Sequence, residues 1–195
     1  MSSTHSSKPK IHSAKKGGLQ NTVLGTRNLM MVAAIAVIGS IIVTPIQYLS
    51  IAAATSLKGA FLLAAIMGLW VIPYLLPAAI IKKPGATIIS SFIIGVIISL
   101  TTPVGFAGIP GSMFGAIIAL PLVITLYKNW SWPVFLACAL WFSGLFGSLT
   151  PMAYKIDMSI PTIALLVALS MCSGAVGFLI CMGIEKAARR TGIVE

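Results

Sequence analysis

Polar and charged residues in this chain are confined to short breaks between long apolar runs. The runs predict helices over 29–53, 60–81, 85–101, 112–127, 132–153 and 160–184. A helical crossing of a bilayer needs about 20 mostly apolar residues, so the pattern predicts an all-α membrane protein, a bundle of six transmembrane helices. Connections this short force neighbouring helices to be antiparallel. With 58% hydrophobic residues the 195-residue chain has no room for a separate soluble domain.

The breaks carry the charge, with 13 Lys and Arg against 3 Asp and Glu. Lys8, Lys10, Lys15, Lys16 and Arg27 precede the first run, Lys82 and Lys83 follow the second, Lys128 the fourth, and Lys186, Arg189 and Arg190 the last. Only Lys58 and Lys155 fall in the alternate breaks. The positive-inside rule therefore places both termini in the cytoplasm. Three segments result: a basic cytoplasmic tail over 1–28, too poor in apolar residues to fold, a transmembrane domain over 29–186, and a C-terminal tail over 187–195. The run from Leu29 exceeds the apolar core of a cleavable signal, of about 7–15 residues, and reads as a retained helix. Cys138, Cys172 and Cys181 lie within apolar runs without the spacing of a metal or redox motif, and no disulfide is expected.

Small residues four apart recur as Ala36/Ser40, Ala64/Gly68, Gly111/Gly115, Ser143/Gly147 and Ser173/Gly177, the spacing that lets helix backbones approach in lipid. Pro73, Pro77 and Pro121 each remove a backbone donor within a run. The uncharged segment TTPVGFAGIPG at 101–111 reads either as a hinged lid or as a plain tight turn.

His5 and His12 both lie in the tail, and the runs hold no carboxylate pair, His-containing triad or metal-ligand cluster. Acid–base, nucleophilic and metal-assisted hydrolysis therefore lack their residues, and the chain does not read as an enzyme. No GxxxxGK[ST] phosphate loop is present. Uphill transport would need its energy from another subunit, or from sodium held by carbonyls and hydroxyls. No cofactor or metal is implied. The groups left to hold a solute are Gln47, Tyr48, Trp70, Tyr74, Ser99, Thr102, Trp141, Phe146 and Tyr154, on the outer halves of the runs or near their middles. They fit an aromatic pocket with a few placed polar groups. Tyr127, Trp130 and Trp132 fit an interfacial belt on the inner side.

The order GLW at 68–70, KKPGA at 82–86, WPV at 132–134, SGA at 173–175 and RRTG at 189–192 resembles the substrate-binding S components of energy-coupling factor (ECF) transporters, of the YkoE type associated with thiamine and hydroxymethylpyrimidine. The resemblance covers about residues 60–193 and implies a six-helix protein that captures a vitamin outside the cell. It also implies partners, a transmembrane T component and two ATPases. It assigns Trp70 to stacking on the solute's ring, and Ala33, Ala36 and Ser40 to a small-residue stripe contacting the T component. Thiamine-type members carry acids in the third and fourth helices, where this chain reads SSFIIGVIIS and SMFGAIIALP. Two other readings fit the composition: a ligand-free membrane scaffold or partner subunit, and a stand-alone facilitator or sodium-coupled carrier.

Overall fold

The computed structural model describes residues 24–53, 56–103, 105–108 and 113–192, so most of the expected 1–28 tail lies outside the described residues. These are all-helical: α1 (Thr26–Ala53), α2 (Leu57–Ile81), α3 (Ala86–Thr101), a 3-10 turn (Gly105–Gly108), α4 (Phe114–Ile118), α5 (Leu120–Ile124), α6 (Trp132–Tyr154) and α7 (Ile160–Arg190). Helices α1, α2, α6 and α7 are long and apolar enough to cross a membrane. Helix α3 has 16 residues, so at a rise of 1.5 Å it reaches about 24 Å, short of a hydrocarbon core of about 30 Å.

The fourth expected run, 112–127, is two five-residue helices instead of one. The break falls at Ala119, and Pro121 sits in the first turn of α5, where its missing N–H costs nothing. The last helix continues past the expected 184 to Arg190. Part of the 101–111 segment, at 104 and 109–111, lies outside the described residues, so the lid reading falls partly there.

Local sequence explains the other boundaries. Ser56 caps α2, its hydroxyl accepting the Gly59 N–H at 3.0 Å. Lys82 ends α2 in the left-handed conformation, Pro84 prevents continuation, and Gly85 at φ 85° opens α3. The KKPGA motif is thus a tight reversal whose Gly85 needs a positive φ. Pro133 and Pro161 occupy the first turns of α6 and α7, and left-handed Lys155 closes α6.

Helix α2 is the central element, packing against α1, α3, α4, α6 and α7. Its seam with α7 is closed by glycine. A Cβ on Gly68 would strike the Ser173 carbonyl, and one on Gly177 the Gly68 carbonyl. Backbone contact this close allows Ser173 Oγ to accept from the Gly68 N–H at 2.8 Å and donate to the Ala65 carbonyl at 2.6 Å. The seam runs on to the Cys181 thiol, 3.7 Å from the Ile72 carbonyl, and ends where Glu185 meets Lys82 at 3.3 Å and Arg189 at 2.5 Å. On the other side of α7, Gly174 packs on Ser143 and Gly147 on Ser170 of the α6–α7 pair.

Two of the three residues expected to face the T component, Ala36 and Ser40, turn inward. Ala36 is fully buried, Ser40 is 4% exposed and Ala33 is half-buried, and between them Gly39 abuts Pro73 of α2. Small side chains at these positions serve the bundle's own close packing against α2 and α3. Ala36 and Ser40 are not presented at the surface, and Ala33 is only partly so.

Gly177→Leu should therefore destabilise the bundle by about 2 kcal/mol or more, the scale of core overpacking. Gly183→Leu, at a position where an added Cβ meets nothing, should not. Thermal unfolding in detergent checks the pair.

Candidate functional site

At the end of the bundle remote from Lys82 and Glu185, α1, α2, α4 and α6 line an open-mouthed cavity of about 290 Å³. This is near the lower limit of small-ligand clefts, about 300–1,000 Å³. Each wall follows helical spacing. Leu63, Met67 and Trp70 form one stripe of α2, and Phe142, Phe146, Leu149, Thr150, Ala153 and Tyr154 form one stripe of α6. Helix α1 contributes Gln47 and Ser50, and α4 contributes Phe114. The short fourth segment thus delivers an aromatic ring into the space between the longer helices.

The inner wall is a cluster of rings. Trp70 lies nearly parallel to Tyr74, at 7° with centroids 6.5 Å apart, and Phe114 stands edge-on to both, at 6.1 and 5.9 Å. Phe146 contacts Phe114 at 4.8 Å and Phe142 at 4.6 Å. Edge-to-face and offset arrangements like these suit the ring quadrupoles. They fix the Trp70 indole beside the cavity, whereas Leu149, Ala153 and Tyr154 form an exposed rim.

Among the described residues, no lining side chain is charged. The Ser50 hydroxyl donates to the Ile46 carbonyl at 2.8 Å and Thr150 donates to Phe146 at 2.8 Å, so both offer only lone pairs to a solute. The Gln47 amide, the Trp70 indole N–H and the Tyr154 hydroxyl make no hydrogen bond among the described residues.

Of the nine candidate residues named from sequence, Gln47, Trp70, Phe146 and Tyr154 meet in this cavity. Tyr74 lies behind its wall, 1% exposed. The remaining four do not line it. Tyr48 points along the outside of α1 and donates to the Thr101 carbonyl at 2.9 Å, Ser99 and Thr102 donate to carbonyls four residues back in α3, and Trp141 is 45% exposed. Residue type without helical phase selected Trp141. Spacing of four back from Phe146 reaches Phe142, and spacing of three on from Gln47 reaches Ser50. Phe114 carried no such signal, because its helix is one turn long.

Residues 27–146 match the family described as "ABC-type cobalt transport system, permease component". The chain belongs to this permease family. No curated protein sequence matches it. A solved structure titled "Crystal structure of an S-component of ECF transporter" is similar in fold, with a TM-score of 0.75, 20% identity and 88% of each chain covered. The permease is a multi-pass cell-membrane protein, and its fold is that of an S component.

In the permease, Phe142→Ala should cost about 3 kcal/mol, because a buried ring leaves a void. Ser50→Ala, whose hydroxyl bonds only within its own helix, should cost under about 1 kcal/mol. Unfolding midpoints of the two variants against the parent chain test this.

Proposed function

We propose that this chain is the substrate-specific S component of an ECF importer. On this reading it captures a thiamine-related vitamin or precursor, hydroxymethylpyrimidine or thiamine, from outside and hands it over with a T component and two ATPases. On the same reading, with six crossings and both termini cytoplasmic, the cavity lies at the outer end of the bundle. The observation that carries the proposal is the cavity itself, uncharged, walled by Trp70, Phe114, Phe142 and Phe146, and provided with a few unpaired polar groups. Such a site suits a planar heteroaromatic solute. The absence of a phosphate-loop motif accords with a subunit driven by ATPases.

The family's description names cobalt, which makes that ion the second reading. Divalent cobalt prefers imidazole, thiolate or carboxylate donors. None lines the cavity, and no three His, Cys, Asp or Glu come together among the described residues. The donor set favours the organic solute.

A ligand that binds only the folded state raises the melting temperature. The purified chain should therefore be stabilised by a pyrimidine vitamin or precursor and left unchanged by cobalt ion. The reverse result would restore the cation reading. Trp70→Leu should weaken binding at least tenfold in a titration, while Trp141→Leu, on the outer surface, should bind as the parent does. Uptake into liposomes holding this chain alone, without ATP, would instead favour a facilitator.

A further inference from the structure

We infer that Gln47 determines the specificity of this cavity, reading the edge of a neutral planar nitrogen heterocycle in which an amino donor lies beside a ring-nitrogen acceptor. This rests on the S-component reading and narrows it to a substrate class.

Among the described residues, Gln47 is the one lining side chain that carries a donor and an acceptor in a single plane, and neither is used. The other polar groups are poorer readers. Ser50 and Thr150 have committed their protons to Ile46 and Phe146, Trp70 can only donate, and Tyr154 stands on the exposed rim. A carboxamide pairs in bidentate fashion with an amino group next to a ring nitrogen, the geometry by which Asn and Gln read adenine. Gln47 is partly buried beside apolar walls, and desolvating its amide on binding has a cost, so ligands that fail to satisfy it are disfavoured.

Charge points the same way. With no carboxylate on the wall, a fixed cation would gain only its attraction to ring faces, whereas a neutral heterocycle stacks on the rings and satisfies the amide at its edge. The aminopyrimidine edge of hydroxymethylpyrimidine has this donor–acceptor pair.

The test is calorimetric titration of the full chain in detergent with hydroxymethylpyrimidine, an analogue in which methyl replaces the ring amino group, and thiamine. The parent chain should prefer hydroxymethylpyrimidine over the methyl analogue by about tenfold, the worth of a hydrogen bond lost at a partner desolvated by the ligand. It should bind thiamine no more tightly than hydroxymethylpyrimidine. Gln47→Leu should bind the first two compounds alike. The ligand comparison in the parent chain needs no folded variant. Equal affinity of the parent chain for the amino and methyl compounds, or a preference that survives Gln47→Leu, would overturn the role of Gln47 while leaving the S-component reading standing. Tighter binding of thiamine than of hydroxymethylpyrimidine would overturn the neutral-substrate class. No binding of any of the three would defeat both readings.

Discussion

The close crossing of α2 and α7 at Gly68 and Gly177 is the constraint from which the rest of the architecture follows. In lipid there is no water to drive helices together, so association depends on packing and on hydrogen bonds between helices. Two glycines opposed at backbone distance supply the first, and Ser173 bridging Ala65 and Gly68 supplies the second. The seam fixes both the rotation and the height of α2. Trp70 lies two residues beyond Gly68, so the same crossing sets where its indole stands. At the other end the Lys82–Glu185–Arg189 cluster pins the register of the two helices. Two of the sequence motifs, GLW and SGA, are the two sides of this one contact.

How much of this could be read from the chain depends on the physical range of each signal. Hydropathy located the long helices well, because the bilayer's demand for apolar length acts on every residue of a crossing. It merged 112–127 into one run because apolar content does not register a helical break, although Pro121 marked it. Small residues flagged close approach at Gly68 and Gly177 without saying which helix would be approached. The same ambiguity sent the Ala36 and Ser40 stripe outward when it faces α2 and α3. In the cavity, Gln47, Trp70, Phe146 and Tyr154 were legible by type. Ser50, Phe114 and Phe142 required phase and tertiary placement that no single residue carries.

The polar chemistry of the site is sparse because the helices use most of it themselves. Hydroxyls at Ser40, Thr44, Ser50, Ser99, Thr102 and Thr150 donate back to carbonyls of their own helices. This habit lets a serine or threonine lie in an apolar environment without an orphan proton. It also silences these residues as donors. An amide cannot dispose of both its functions so easily, and Gln47 is left open beside the rings.

Among the described residues, helix α1 packs only against α2 and α3, whereas the cavity lies between α1, α2, α4 and α6. The wall bearing Gln47 and Ser50 consequently has no seam with the wall bearing Phe146 and Tyr154. Pro45 sits just before this part of α1 and removes one backbone hydrogen bond, and the Thr44 hydroxyl donates to the Ser40 carbonyl at 2.8 Å. The α1 side of the cavity is thus held to the rest of the bundle through α2 and α3. A change in the position of the outer turns of α1 would alter the cavity's width without requiring the α2–α7 seam to open.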